Sequence, residues 1–287
     1  MLYEDDEIVA VDKPAGLPTI APEGGRGRSL YGFVTAYIRR RNPKGRAAVV
    51  HRIDRDTSGV VVFAKSGRTK RELMSAWNEL VVSRRYVALV EGTMEGESGT
   101  LDSWLRENRG GTVYQAPPGA PGALRAVTRW RVLESGGGYS LLELELETGR
   151  KHQIRVQLSG VGHPVAGDAR YGSRADPAGR LALHAASIEL AKPGGGELIR
   201  VESPVPESFF RPLRGREKSL YYGARKADGR QSPAQGAEIE TPGARASGGG
   251  HMKEKSKQAK EPKKKPQKTL KEKRKEKREK AANKTEE

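Results

Sequence analysis

One short stretch gathers side chains able to do chemistry: His51-Arg52-Ile53-Asp54-Arg55-Asp56-Thr57-Ser58-Gly59. Arg52 and Arg55 flank Asp54, and neighbouring cations favour the charged form of a carboxylate. A polar turn of Thr57, Ser58 and Gly59 follows. The apolar run Val60-Val61-Val62-Phe63-Ala64 then reads as a buried strand. An ionised carboxylate held at the mouth of a rigid strand suits nucleophilic or acid–base work. The same charges also fit a surface loop whose ions pair with one another. Asp54 and Asp56, two residues apart in an extended segment, can make the carboxylate pair of a glycosidic-bond hydrolase, although Asp56 equally suits capping the turn. His51 and Asp54 with His152 or His184 lack the spacing of a standard metal cage, so no metal is expected.

Two further stretches carry candidate groups. Gly149-Arg150-Lys151-His152-Gln153-Ile154-Arg155 crowds cationic and amide donors at a strand-to-helix junction, a setting suited to an anion. Tyr86 lies in the strand pattern Arg84–Gly92, whose alternation puts Tyr86, Ala88 and Val90 on one face. Read alone, Tyr86 is also an ordinary core residue.

The elements that must position these groups are readable from periodicity. Glu7–Asp12 is a strand stopped by Lys13-Pro14-Ala15-Gly16. Ser29 caps a helix with Leu30, Phe33, Val34, Tyr37 and Ile38 on one face, closed by Arg39-Arg40-Arg41. That triple fits a dipole-matched helix end or an RNA-phosphate contact. Ala47–His51 and Val60–Ala64 read as strands on either side of the Asp54 loop. Ser66 caps a second helix bearing Leu73, Met74, Trp77 and Leu80, with Trp77 in the core. Residues 108–122 read as a loop or hairpin tip. Val127–Leu133 and Tyr139–Glu147 form a hairpin about Gly136-Gly137-Gly138, with Leu142, Leu144 and Leu146 inward and the intervening glutamates outward. Strands at Ala182–Leu190 and Leu198–Val201 and a short helix near Pro206–Leu213 complete the pattern.

Composition bounds the class. There is no cysteine, which excludes disulfides and thiolate metal sites and suits a cytoplasmic setting. No apolar run approaches the roughly 18 residues of a membrane span, and the acidic start lacks a signal-peptide pattern. The formal charge is +17; residues 251–287 hold 16 Lys and Arg against 7 Asp and Glu, so +9 sits there and +8 on residues 1–250. The body is therefore basic in its own right, and a polyanion, nucleic acid first, is the expected partner. The expected organisation is a catalytic domain at 1–222, a Gly-, Pro- and Ala-rich linker at 223–250 and a disordered Lys/Glu-rich basic tail at 251–287.

Taken together, five stretches resemble the RluA family of RNA pseudouridine synthases. They are His51–Gly59; Tyr3-Glu4-Asp5-Asp6 with Lys13-Pro14-Ala15-Gly16; Arg85–Val90; Gly149–Val156; and Gly162–Asp168 with Leu183-His184-Ala185. They occur in the family's order and cover roughly residues 2–213. The resemblance implies an α+β pseudouridine synthase fold: a long, bent, mostly antiparallel or mixed sheet in two subdomains, with helices outside and a central cleft. It implies isomerisation of uridine in RNA, ribosomal or transfer, by breaking N1–C1′, rotating the uracil and joining C5 to C1′. Asp54 matches the essential aspartate, Tyr86 the tyrosine packed on the base, and Arg155 the basic partner of the aspartate. His51, Arg52, Arg55, Thr57, Arg150, Lys151, His152 and Gln153 fall where the family meets RNA.

That chemistry explains the residue types. A stacked uridine must be swung out at a cost of a few kcal/mol, and a buried aspartate needs a cation beside it, with Arg better than Lys because it pairs in bidentate geometry. Isomerisation changes no redox state and uses no activated group, so no cofactor is expected. Gln157 stands where the family usually has His, bearing on packing or an RNA contact. No S4-type RNA-binding domain is expected ahead of Met1, nor an obligate protein partner; a monomer is expected. The rival reading is a catalytically silent RNA-binding protein on the same scaffold.

Overall fold

The computed structural model describes residues 1–21, 28–192 and 196–214. The linker at 223–250, the tail at 251–287 and the last residues of the expected 1–222 domain lie outside the described residues. Among the described residues, no helix is long and apolar enough to cross a membrane.

The continuous apolar run after Asp54 becomes β4 (Ser58–Ala64), all seven residues of which are buried. A strand reads as unbroken hydrophobics when both of its faces are covered, and here each face has its own helix. Val61 and Phe63 pack with Val9 and Val11 under α1 (Leu30–Arg39), which contributes Leu30, Val34 and Ile38. Val60 and Val62 pack with Ile8 and with Leu73 of α2 (Gly67–Ser75) on the other side. Ser29 and Ser66 cap the two helices, accepting from the backbone N–H of Gly32 and Thr69. The apolar stripe of α1 is narrower than expected: Phe33 is 52% exposed, because Leu30, Val34 and Ile38 already fill the contact.

The strands not yet given are β1 (Tyr3–Glu4), β2 (Ile8–Lys13), β3 (Ala48–Val49), β5 (Val81–Glu91), β6 (Ser98–Glu107), β7 (Val113–Ala116), β8 (Leu124–Gly136), β9 (Tyr139–Leu146), β10 (Leu183–Ala191) and β11 (Leu198–Glu202). They form one sheet in the order β1-β2-β4-β10-β5-β9-β8-β6-β7, with β3 on β4 and β11 on β10. All pairings are antiparallel except β4 with β10, where Ser58 faces His184 and Gly59 faces Ala185. Gly59 is required at this seam: its φ is +109°, and a Cβ there would lie 2.2 Å from the Ala185 carbonyl oxygen. The α+β class and mixed sheet match the expectation. The hairpin β8–β9 turns through Gly137 and Gly138, at φ +58° and +81°, the positive pair that a two-residue hairpin turn needs.

Three local expectations are corrected. The second helix breaks at Ala76 (φ −122°) into α2 and a single turn, α3 (Trp77–Leu80); Ser75 Oγ donates back to the Glu72 carbonyl, a bond that competes with helix continuation. The stretch 108–122 contains the edge strand β7, paired with β6 from Trp104–Ala116 to Glu107–Val113; Gly and Pro on both sides hide its four residues. Residues 207–214 form two 3₁₀ turns rather than one helix, Glu207–Phe209 and Arg211–Arg214, with Phe210 between them; Pro212, inside the second turn, has no N–H to give an α-helical ladder.

Candidate active site

The Asp54 loop leaves the sheet between β3 and β4 and is clamped on either side of Asp54. Thr19 Oγ1 donates to the Ile53 carbonyl at 2.9 Å and accepts from the Ile53 N–H at 3.4 Å. Lys13, fully buried, donates to the carbonyls of Arg55, Leu17 and Pro14 at 2.7–2.9 Å. Burial pushes the Lys13 ammonium down to about 8, against the attraction of Asp56. With both neighbours of Asp54 fixed in the backbone, its side chain is aimed rather than free.

The cation that meets Asp54 comes from α4 (Gln153–Gly160). Arg155 Nη1 donates to Asp54 Oδ2 at 3.2 Å, while its Nε and Nη2 donate to the two oxygens of Asp168 at 2.6 and 2.8 Å. The Asp168 and Arg155 side chains are 1% and 9% exposed, and that of Asp54 is 28% exposed. One planar guanidinium thus spans a buried carboxylate and an accessible one, which a lysine could not do. Burial opposes its charge, but the hydrogen bonds and charge of Asp168, with those of Asp54, hold its pKa above the ordinary value. The Tyr171 ring lies 4.9 Å beneath the guanidinium.

His152 caps α4 in the left-handed conformation, φ +54°, the one non-glycine residue there among the described residues. Its Nδ1 is 2.7 Å from the Tyr171 hydroxyl, and its Nε2 is 3.9 Å from Asp54 Oδ2. Tyr171 Oη also accepts from the Val113 N–H, which fixes the phenol against the His152 ring. Burial depresses the His152 pKa; Asp54 opposes this and Arg155 adds to it.

A cavity of about 360 Å³ opens over these groups. Asp54, Arg155, His152, Arg52, Thr57 and Arg150 line it on the polar side, and Tyr86, Ile154, Leu146, Leu183, Val50 and Trp77 on the apolar side. Tyr86 sits between Leu144 and Ala185 in the sheet. Burial pushes its hydroxyl up to about 12, with Arg84 opposing and Asp54 adding to the shift. Arg52 and Arg150 are exposed, while Thr57 is 2% exposed.

Other sequence-derived candidates make contacts within the protein, and His51 and Gln153 line the cavity as well. Arg55 turns to Asp56 at 3.2 Å and does not line the cavity, so the cation facing Asp54 is Arg155 and not the local Arg55. Asp56 also lies outside the lining, so no Asp54–Asp56 pair is assembled for hydrolysis. Lys151 pairs with Glu107 and donates to the Gly111 carbonyl. Gln153, 3% exposed, accepts from the Arg150 N–H and Thr148 Oγ1 and donates to the Val127 carbonyl and Thr128 Oγ1. Gln157 donates to the carbonyls of Leu101 and Ala126 and accepts from Thr128, so it belongs to packing. His51 Nε2 accepts from the Val62 N–H at 2.9 Å, taking over where the β3–β4 ladder ends, and its ring lies against Trp77. Burial, with a smaller contribution from Arg84, pushes that imidazole down to about 4.

The sequence reading missed Asp168, Tyr171 and Thr19. A signal for Asp168 existed: a buried arginine needs more than one accessible carboxylate, and Asp168 is the one carboxylate in the motif Gly162–Asp168. His184 is likewise internal; its Nε2 donates to the Ser203 carbonyl, so its Nδ1 accepts from Ser58 Oγ, which itself accepts from Arg180.

Known proteins share this arrangement's sequence and fold. The RNA pseudouridylate synthase family profile matches residues 7–160. The uncharacterized RNA pseudouridine synthase YhcT of Bacillus subtilis is 36% identical over 208 residues, covering 72% of this chain and 68% of that protein. The ribosomal large subunit pseudouridine synthase D of Nitrosomonas europaea is 37% identical over 223 residues, covering 73% of this chain and 62% of that protein. Among solved structures, human RNA Pseudouridylate Synthase Domain Containing 1 superposes with TM-score 0.57 at 27% identity, over 71% of this chain and 82% of that one. Human RNA Pseudouridylate Synthase Domain Containing 4 gives 0.61 at 24% identity, over 74% and 92%, and supports the fold alone. With its isomerase chemistry directed at uridine in RNA, this chain belongs to the RNA pseudouridine synthases of the RluA family.

Proposed function

We propose that Asp54 is the group on which the isomerisation turns, that Arg155 pairs with it and orients it, and that Tyr86 packs on the uracil. The observation that carries this reading is the reach of Arg155 between Asp54 and Asp168 at the floor of the cavity. Asp168 fixes the guanidinium, so the third N–H meets Asp54 without having to be ordered during the reaction. The carboxylate serves either as nucleophile at C1′ or as base at the sugar; both routes start from the anion. The N1–C1′ bond breaks, the uracil rotates while held in the cavity, C5 joins C1′, and the C5 proton is lost as N1 gains one. The product is an isomer of the substrate.

A cavity of about 360 Å³ suits one nucleotide swung out of its stack. Its apolar wall of Tyr86, Ile154, Leu146 and Leu183 matches the faces of a pyrimidine, and it keeps water from a detached base. Exposed Arg52 and Arg150 at the rim are placed for phosphate, and Thr57 and His152 for the nucleotide's polar edge. Arg55, Lys151, Gln153 and His51 brace the loop and α4, and of these His51 and Gln153 also line the cavity. The substrate is uridine in structured RNA; the large-subunit ribosomal name of the N. europaea relative favours ribosomal RNA over transfer RNA.

Tritium release from RNA labelled at C5 of uridine tests the assignment. The chain should release tritium and Asp54→Asn should release none while still binding the RNA. Equal release from both removes Asp54 from its role. Mapping pseudouridine in ribosomal and transfer RNA from cells with and without the gene identifies the target.

A further inference from the structure

Exposed arginines differ in their company among the described residues. On the ribbon of β6, β8 and β9 three are matched across strands, Arg125 with Asp102, Arg129 with Glu147, and Arg131 with Glu143, while Arg106 there is exposed without an ion pair. The matched pairs are locally neutral and offer little to a phosphate. The corner between α1 and β3 is different. Arg39, Arg40, Arg41, Lys44 and Arg46 are all exposed there, with no acidic residue among positions 28–53. Arg39 donates to the Gly45 carbonyl, and Arg41 reaches Glu4 only at 3.9 Å. Arg40, Lys44 and Arg46 make no ion pair among the described residues.

The corner is also preformed. The Gly45 N–H donates to the Asn42 carbonyl, the Lys44 N–H to Asn42 Oδ1, and the Ala47 N–H to Thr35 Oγ1 on α1. Gly45 packs so closely that a Cβ there would lie 2.8 Å from Ile38 Cγ2. A turn already ordered loses little entropy when a ligand takes up its cations. Phe33, 52% exposed, sits seven residues before Arg40 and therefore on the same side of α1. An exposed ring beside cations is the composition of a surface for unpaired bases.

This corner runs directly into the cleft. The chain passes from Arg46 through β3 to Val50, His51 and Arg52 of the cavity wall, and four residues span at most about 14 Å. The helix itself packs in the cluster that includes Ile53 and Tyr86.

We propose that the α1–β3 corner is an RNA-backbone docking site for nucleotides flanking the target uridine, with Arg40, Lys44 and Arg46 on phosphates and Phe33 stacked on a base. The proposal rests on the reading of the cleft as the uridine-isomerising site. Its test uses the full chain, its R40Q/K44Q/R46Q variant, and protein-free ribosomal RNA tritiated at C5 of uridine. Each lost phosphate contact lowers the log–log salt slope of binding by about 0.7–0.9, so the variant's slope should fall by about 2–3 and its KM rise about tenfold or more. Its kcat at saturating RNA should be unchanged. Neutralising a matched pair instead, Arg125→Gln with Asp102→Asn, should leave the slope as in the parent. A triple variant with the parent's slope and KM overturns the docking site, as does lost kcat at unchanged KM. If the parent releases tritium from neither ribosomal RNA nor transfer RNA labelled in the same way, the reading of the cleft has failed; the salt slope, which needs no turnover, still decides the docking site.

Discussion

Replacing Asp168 with asparagine removes one negative charge and changes shape very little, so it isolates what the buried carboxylate does for Arg155. The side chain is 1% exposed and holds the guanidinium through two hydrogen bonds at 2.6 and 2.8 Å. Losing one partner of a buried ion pair costs about 3–5 kcal/mol. Two features reduce this here. The asparagine oxygen still accepts one of the two bonds, and Asp54 still neutralises the arginine through Nη1. A loss of about 2–3 kcal/mol is therefore expected, and at 2–4 °C per kcal/mol for a domain of this size Tm should fall by about 4–12 °C. Catalysis should suffer more than binding: a guanidinium released from Asp168 swings toward Asp54, and a misplacement near 1 Å costs about a hundredfold in kcat. Thermal unfolding and tritium release at saturating RNA measure the two effects. Adding Asp168→Asn to Asp54→Asn should show coupling above about 0.5 kcal/mol in stability, because both carboxylates act on one arginine. An Asp168→Asn variant with the parent's Tm and kcat would refute the claim that Asp168 orients Arg155.

Three further outcomes follow from the geometry. Gly59→Ala places a methyl 2.2 Å from the Ala185 carbonyl at a φ of +109°, so it should destabilise by about 3 kcal/mol or more; an unchanged denaturation midpoint would show the β4–β10 seam is not as close as described. His51 has a folded-state pKa of about 4 against an ordinary 6.5, so the fold prefers the neutral ring. Its contribution is complete above pH 6.5 and is lost as pH falls toward 4, amounting to no more than about 3 kcal/mol. His51→Gln keeps an acceptor for the Val62 N–H but cannot titrate, so its Tm should drop less on acidification than the parent's, and parallel curves would contradict this. Tyr86, pushed up to about 12, should remain a neutral phenol past pH 10; a kcat limb near pH 10 that vanishes in Tyr86→Phe would show that its hydroxyl ionises earlier.

Much of the local structure was legible because its signals are local. The Leu30, Val34 and Ile38 spacing, the Ser29 and Ser66 caps, the unbroken run of β4 and the Leu/Glu alternation of β9 each depend on a side chain's own neighbours in sequence. Where a signal was masked or overridden, the reading failed. Turn residues hid β7, and the back-bonding of Ser75 competed with continuation of the second helix at Ala76. Phe33 matched the helical period but lies beyond the contact that α1 makes.

The site divides along the same line. The sequence alone determined that a carboxylate sits beside a sharp turn at the start of a buried strand, that cations and amides crowd a helix start a hundred residues later, and which family those stretches resemble. Only the tertiary structure decided which cation serves which acid. Arg55 turns to Asp56, while Arg155, 101 residues from Asp54, is carried to it by α4. A guanidinium that is 9% exposed must satisfy its charge inside the protein, and that demand draws in Asp168, whose pairing with Arg155 is set by the fold and not by its sequence neighbours.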